Sequence, residues 1–277
     1  MDLLAPMIAG AAGAFVKTLA DKGVAWLIEL VGAHSPAVQE QAQRNAQNFL
    51  VRLAKRVEIL EAELPAAQRT VFEQALGHPS TSLLMQKAFV SAAATENDDR
   101  HELLSELIAQ RLTAEADDMI ALAGSAACDV VNALSSRQIR LLGVMARLFD
   151  IRPSSQSQPN SQVEYDEFLL SWCGAFDILS EGLEKAVSLD FRHLEGLSCI
   201  VRGIGSYDVI KLLSSPLSPS QFQTSMDKLE STAWWPVFKH VWDIGIKHSH
   251  LTSVGTLIGT LYHDSALKAR TEICWEE

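Results

Sequence analysis

Residues 42–64, AQRNAQNFLVRLAKRVEILEAEL, carry the clearest structural signal in the sequence. Apolar side chains recur there every three or four positions, a spacing that places them on one face of an α-helix. The members of this stripe are Ala42, Ala46, Phe49, Leu53, Val57, Leu60 and Leu64. Charged side chains occupy the other faces, and Pro65 stops the helix. The pattern predicts a helix of about seven turns that packs by one side, either into a core alone or also against another copy.

The length and composition are those of a globular protein. The chain has 277 residues, of which 48% are hydrophobic and 21% charged, and its formal net charge is −11. This balance predicts a folded core. Because the charge is strongly negative, we do not expect nucleic acid among the partners, and attraction to anionic lipid would need a local basic patch.

The composition changes along the chain. Residues 1–152 contain 29 alanines and 6 aromatic residues, whereas residues 153–277 contain 5 alanines and 13 aromatic residues. Residues 153–162, PSSQSQPNSQ, have no large apolar side chain whose burial could offset the entropy of ordering. We therefore predict an alanine-rich domain over 1–152, a linker at 153–162 and an aromatic-rich domain over 163–277. A long surface loop inside one domain is the alternative.

Local signals predict further helices and some of their starts. Ser80 is a candidate N-cap, Thr113 a candidate helix start, and Ser135 or Ser136 a candidate cap for the helix that ends near Phe149. Small alanines permit close approach between helices, which favours a bundle.

The second half has a less regular pattern. Residues 165–179 and 190–201 are predicted to be helical, a last helix is capped by Thr252 or Ser253, and short strands near 199–202 or 248–251 are left open. The predicted fold class is therefore mostly α. It is an alanine-rich helical bundle followed by a smaller, aromatic-rich and mainly helical domain, for which a winged-helix-like α+β fold is left open.

The N-terminus contains a long uncharged stretch. Leu3–Val16 has 14 residues without charge, fewer than the roughly 20 that span a bilayer. It also lacks the basic polar face of a simple interfacial helix. We expect residues 1–34 to be buried in the bundle, to self-associate, or to engage a membrane conditionally. The candidate residues for self-association or membrane contact are Leu3, Leu4, Ile8, Gly10, Gly13, Phe15 and Val16.

No familiar catalytic motif occurs in the sequence. The nucleophile elbow, the phosphate-binding loop, the dinucleotide-binding turn and the His-Glu-x-x-His motif are all absent. His240, His248 and His250 lie close together, but their spacing matches no common zinc motif, so we interpret them as histidines that flank a turn. We predict no catalytic residue, cofactor or metal, and leave open an enzyme of an unrecognised class.

The tryptophans and cysteines add two further expectations. Trp234, Trp235 and Trp242 are either a partner-binding aromatic platform or part of a core. The four cysteines form no Cys-x-x-Cys pair, and the chain opens on Asp2 without a basic signal-peptide region. Free thiols in a reducing cytoplasm are therefore expected.

Three segments together carry a family resemblance. They are the helix over 42–64, the segment Ala133–Leu142 (ALSSRQIRLL) and the segment Leu251–Gly255 (LTSVG). This order resembles the Abi-alpha type of bacterial abortive-infection proteins and related helical families. In those families a Leu-Ser-x-x-x-x-x-Leu-Leu segment precedes a C-terminal Leu-Thr-x-x-Gly turn. The resemblance implies a helical defence protein and brings no catalytic residues with it.

Three functions remain open at this point. The leading hypothesis is a non-enzymatic bacterial defence protein whose N-terminal segment self-associates or engages a membrane, as a homo-oligomer or with a protein partner encoded nearby. The second is an adaptor or scaffold that binds through the tryptophan-rich half. The third is an enzyme.

Overall fold

The computed structural model describes residues 10–65, 68–114, 118–153, 159–214 and 222–271. In that part of the chain the protein is mostly α-helical, with a single two-stranded sheet. The predicted fold class is confirmed. Contacts between Cα atoms divide the chain into a first unit, Met1–Ala133, and a second unit, Leu134–Glu277.

The first unit is built from α-helices. Their bounds are α1 Gly10–Val31, α2 Pro36–Glu63, α3 Arg69–Gly77, α4 Pro79–Ala93, α5 Asp98–Thr113 and α6 Met119–Val131. Helix α2 packs against α1, α4 and α5. It begins six residues before the predicted stripe because Pro36, with its fixed φ, suits a first helical turn. The stripe is buried as predicted, except that Leu60 is only half-buried.

Ion pairs connect the outer faces of α2 and α5. The Arg52 guanidinium lies 2.5 Å from an Asp98 carboxylate oxygen, and that of Arg56 lies 2.9 Å from Glu102. These side chains are partly exposed, and exposed pairs contribute about 0–1 kcal/mol each. The apolar stripe therefore supplies most of the α2–α5 interaction.

Two predicted helix starts in the first unit are wrong. Helix α4 is capped by His78, whose ring nitrogen accepts the backbone N–H of Ser80, because Pro79 already occupies the first helical position. Thr113 ends α5 instead of beginning α6. Asp118 caps α6 by accepting the backbone N–H of Ile120 at 3.3 Å.

The second unit has helices of very different lengths and two short strands. The elements are α7 Ser136–Phe149, α8 Gln162–Cys173, α9 Phe176–Leu179, α10 Ser188–Gly196, β1 Ile200–Arg202, α11 Val209–Ser214, α12 Met226–Glu230, α13 Trp235–Ile244, β2 Ser249–Leu251 and α14 Ser253–Leu267. Single 3-10 turns occupy Leu183–Lys185 and Ile246–His248.

Glycines allow α7 and α14 to approach closely. A Cβ atom on Gly259 of α14 would lie 2.4 Å from the carbonyl oxygen of Leu142, and one on Gly143 of α7 would lie 2.5 Å from the Tyr262 ring. Both distances are shorter than a carbon atom tolerates in a packed core. The two glycines therefore allow α7 and α14 to pack more closely than larger residues would.

The predicted caps of α7 and α14 are confirmed. Ser135 forms a capping box with Gln138, each side chain accepting the other residue's backbone N–H. Thr252 accepts the backbone N–H of Gly255 at 3.2 Å. Its hydroxyl also donates to the Ser198 carbonyl at 2.6 Å, which anchors the start of α14 to the segment before β1.

The two short strands left open by the sequence are present. β1 and β2 pair antiparallel, with Val201 opposite His250. The helix predicted over 190–201 instead ends at Gly196, and Ser198 follows with a left-handed backbone, φ 57°. The helix predicted over 165–179 is interrupted between α8 and α9.

The boundary between the units differs from the change in composition. It lies before α7, so α7 groups with the aromatic-rich part of the chain although composition assigned it to residues 1–152. The described residues of the predicted linker, Pro153 and 159–162, belong to the second unit. Residues 154–158 of that linker lie outside the described residues. The difference arises because α7 packs on α14. The division into units follows such contacts, whereas the predicted boundary followed the local composition.

We predict that Gly259→Ala lowers the free energy of unfolding by about 1–3 kcal/mol, since its methyl group would collide with the α7 backbone. Gly196→Ala is the matched control, because a Cβ atom there meets nothing within 4 Å. Urea midpoints of unfolding measure both variants. Equal midpoints would show that α7 and α14 do not need the glycine.

Candidate functional site

Helix α1 holds the described part of the N-terminal candidate segment. Its apolar face packs against α2 and α4, and Val16, Leu19 and Leu27 of that face are buried. Lys17 and Asp21 lie on the exposed face. The helix is therefore amphipathic, and α2 and α4 cover its apolar side.

A glycine fixes how closely α1 approaches α4. A Cβ atom on Gly23 would lie 2.5 Å from Cζ of Phe89, a fully buried ring of α4. The indole ring of Trp26 meets the same ring edge-on, with centroids 5.7 Å apart. Phe89 thus fills the notch that Gly23 leaves in α1, and a larger side chain at position 23 would force either the Phe89 ring or α1 to move.

The candidate residues of the N-terminus are placed only in part. Leu3, Leu4 and Ile8 lie outside the described residues. Gly10 begins α1, and Gly13, Phe15 and Val16 are buried in the first unit. From Gly13 onward, the structure therefore agrees with the alternative in which the N-terminal segment is buried in the bundle. Among the described helices, none is both long enough and apolar enough to cross a membrane.

A cleft of about 510 Å³ opens beside α1. Its walls are α1, the end of α3 and the first turns of α4. Among the described residues, Phe15, Leu19, Leu76 and Met85 supply apolar lining, and Lys22 supplies a charged group. No local pattern of the sequence reveals this cleft, because α1 is more than 50 positions away from the residues of α3 and α4 that complete it.

The tryptophan cluster is part of the core of the second unit. Trp234, Trp235 and Trp242 are 3%, 7% and 4% exposed. The Trp234 ring centroid lies 5.2 Å from that of Phe176 and 5.5 Å from that of Phe238. These side chains offer almost no surface to a partner, so their placement favours the core alternative over the platform.

The three neighbouring histidines do not converge. The His240 ring donates to the Ala186 carbonyl at 2.8 Å, and that of His248 donates to the Gly205 carbonyl at 2.9 Å. The His250 ring is hydrogen-bonded to the Tyr207 hydroxyl. In the described part of the chain, no three His, Cys, Asp or Glu side chains are arranged to hold a metal ion.

A half-buried arginine, for which the sequence offers no signal, connects three helices of the second unit. The guanidinium carbon of Arg147 on α7 lies 3.2 Å from the centre of the Trp172 ring on α8. The guanidinium N–H groups of Arg147 donate to the Trp172 carbonyl at 2.9 Å and to Nε2 of His263 on α14 at 3.3 Å. Nδ1 of His263 in turn contacts Asp264 at 2.9 Å. Burial lowers the pKa of Arg147 to about 10. No local spacing reveals such a network, because its members are 25 and 116 positions apart.

The described cysteines are unsuited to nucleophilic chemistry. Cys128, Cys173 and Cys199 are buried and free, and burial raises the pKa of each thiol to about 12. A thiol with such a pKa stays protonated near neutral pH and is a poor nucleophile. Cys274 lies outside the described residues.

Comparison with known proteins places the chain in a family. Residues 13–233 match the model of one uncharacterised protein family, and the chain belongs to that family. No curated protein and no solved structure matches the chain. The family description names no activity, so the resemblance to the Abi-alpha proteins stays a prediction.

We predict that Trp234→Ala lowers the free energy of unfolding by about 3–5 kcal/mol, because it leaves a cavity between Phe176 and Phe238. Ile204→Ala is the control, since Ile204 is fully exposed and its loss should change stability by less than about 0.5 kcal/mol. Denaturant unfolding followed by circular dichroism tests both. If Trp234→Ala is as stable as wild type, Trp234 does not contribute to the core, and the partner-binding alternative is favoured.

Proposed function

We propose that this chain is a non-enzymatic bacterial defence protein of the abortive-infection type, which acts in the cytoplasm through its N-terminal segment. In the resting protein α1 is packed in the first unit. A signal, delivered by a protein partner encoded nearby, releases α1. Residues 1–31, which now expose the apolar face of α1, then bind a second copy of the chain or engage a membrane.

The observation that best supports this proposal is the packing of α1 against α2 and α4. Its apolar face is covered by α2 and α4 of the same chain, and its fit to α4 depends on one notch, Gly23 over Phe89. Each fully buried Val, Leu or Phe side chain contributes roughly 1.5–3 kcal/mol. A released α1 would expose several such side chains, so it would seek another apolar surface.

The charges of α1 restrict what a released helix can do. Lys17, Asp21, Lys22 and Glu29 are all exposed on it. Moving such charges into hydrocarbon is costly, so one copy of α1 is a poor membrane span. Self-association, or binding parallel to a membrane surface, keeps these charges in water.

Two further observations support the assignment to defence. The first is the resemblance to the Abi-alpha proteins, whose segments in this chain lie in α2 and at the starts of α7 and α14. The sequence also lacks the familiar catalytic motifs. A mechanism by association fits both.

We predict that Gly23→Leu increases vesicle leakage severalfold or raises the native mass of the full-length chain. Leucine favours the helical state more than glycine, so α1 should stay helical while Phe89 blocks its docking. Dye release from vesicles of bacterial lipid detects membrane engagement, and native mass spectrometry detects self-association.

The matched control is Gly259→Leu, which places the same side chain in the tight α7–α14 contact of the second unit and leaves α1 docked. If the two variants behave alike in both assays, general destabilisation explains the result and the role of α1 is refuted. If Gly23→Leu matches wild type in both, release of α1 has no effector function.

The defence assignment has its own test. Cells that express the chain with its neighbouring genes should form fewer phage plaques, and their cultures should collapse early at high phage multiplicity. Gly23→Leu should be toxic without phage. Unchanged plaque numbers and lysis times across a diverse phage panel would refute the defence role.

A further inference from the structure

We propose that the loop over residues 203–206, which follows β1 in the second unit, docks the folded protein on an anionic membrane surface. The Ile204 side chain would enter the boundary between the lipid headgroups and the acyl chains, and basic side chains near the loop would contact the lipid phosphates. This proposal goes beyond the function proposed above, because it concerns the second unit and needs no release of α1.

The 203–206 loop holds an apolar side chain in water. Ile204 is fully exposed, with a glycine on each side of it in the sequence. Val201 of β1 lies opposite His250 of β2, on the outer face of the sheet, and is 56% exposed. The loop and the adjoining strand therefore present two accessible apolar side chains.

Hydrogen bonds fix the conformation of this loop. The backbone N–H of Gly203 donates to the His248 carbonyl at 2.7 Å, and that of Tyr207 donates to the Lys247 carbonyl at 2.9 Å. The His248 ring donates to the Gly205 carbonyl at 2.9 Å. Both ends of the loop and its middle are thus tied to the segment before β2. Because the loop is already ordered, little conformational entropy would be lost when Ile204 enters another surface.

Basic side chains lie on the segments that flank the loop, although the chain carries a net charge of −11. Arg202 at the base of the loop and Lys211 of α11 are exposed, and neither forms an ion pair with another described residue. Lys239 and Lys247 share the single carboxylate of Asp243. These side chains form the local basic patch that attraction to anionic lipid requires.

The carboxylates of the neighbouring segments do not cancel this charge. Asp208 caps α11, where its carboxylate accepts the backbone N–H groups of Ile210 at 2.9 Å and Lys211 at 3.3 Å. Helix α10, which packs on β1, exposes one acid, Glu195, and one arginine, Arg192. A net positive charge therefore remains beside the apolar tip of the loop.

An apolar tip beside several cations matches the layered chemistry of an anionic bilayer. The isoleucine can reach the edge of the acyl chains while the cations stay at the level of the phosphates. Each lysine or arginine close to such a surface strengthens binding roughly fivefold. Because each of these contacts is weak alone, we expect reversible docking that depends on both kinds of side chain.

Flotation of the full-length protein with vesicles of phosphatidylcholine, with and without phosphatidylglycerol, tests the proposal. Wild type should bind the anionic vesicles about tenfold more tightly than the neutral ones, and added salt should weaken this binding. An entrapped dye should stay inside, since α1 remains docked. This result does not depend on the behaviour of Gly23→Leu, so the two proposals can fail separately. Equal binding to both kinds of vesicle, or to neither, would overturn the role of the loop.

Variants at the tip test the apolar contact. Ile204→Gln should weaken binding about tenfold, because the buried apolar side chain is lost. Ile204→Trp should bind at least as tightly as wild type, since tryptophan favours the membrane–water interface. The matched control is Ile178→Gln, which changes a 50% exposed isoleucine of α9, a helix that packs on α7 and α14. Unchanged binding of Ile204→Gln, or an equal loss in the control, would contradict the assignment of the tip.

A pair of arginine variants tests the charge. Arg202→Gln should weaken binding to the anionic vesicles roughly fivefold. Arg69→Gln removes an exposed arginine of α3 in the first unit and should bind as wild type does. Equal losses would reduce the interaction to general charge attraction and overturn the site. A short DNA duplex serves as the competing anionic partner. If it binds more tightly than the vesicles, and Arg202→Gln and Ile204→Gln both weaken that binding, the surface recognises nucleic acid and the proposal is wrong.

Discussion

The apolar face of α1 must be kept out of water, and the packing of α2 and α4 over this face organises the first unit. Val16, Leu19 and Leu27 are held out of water by α2 and α4, and Phe89 enters the notch at Gly23. This notch allows a close fit that a Cβ atom would prevent. The same constraint connects fold and function, since a change that separates α1 from α4 exposes the apolar face that the proposed mechanism uses.

Helix α2 makes this arrangement possible because it packs on several neighbours. One apolar stripe contacts α1, α4 and α5, while ion pairs from Arg52 and Arg56 to α5 lie near the surface. The cleft is a consequence of what flanks α1. Gly77 at the end of α3 has no side chain and Ser82 of α4 has a short one, so the space beside Leu19 and Lys22 is not filled. Packing on α2 thus stabilises the first unit, while the flank of α1 beside Lys22 is less closely packed.

The sequence was a good guide wherever a local pattern determines the structure. The stripe of α2 and the caps at Ser135 and Thr252 depend on neighbouring residues. The sequence predicted the stripe, and it named each cap as one of two candidates. The two short strands were only left open, because their pairing joins residues as distant as Ile200 and Leu251. Prediction failed at α4 and α6, which are capped by His78 and Asp118 and not by Ser80 and Thr113. Ser80 loses the cap position because Pro79 already occupies the first helical turn, and Thr113 is the last residue of α5.

The features that matter most for the candidate site depend on distant residues. Gly23 meets Phe89 across 66 positions of chain, and Gly259 meets Leu142 across 117. The pairing of Arg147 with His263 is equally remote in sequence. For this reason neither the α1 notch nor the unit boundary before α7 could be derived from composition or periodicity. The tryptophans illustrate the same limit, since only packing decides between core and platform.

Amide hydrogen exchange of the native full-length chain measures whether α1 is a separable part of the first unit. We expect α1 amides to exchange through a local opening whose free energy is lower than that of α2 and α5 amides. In low concentrations of urea the exchange of α1 should change little, while that of α2 follows global unfolding. If α1 and α2 amides exchange with the same free energy and the same urea dependence, α1 opens only when the whole unit unfolds, and the account is contradicted.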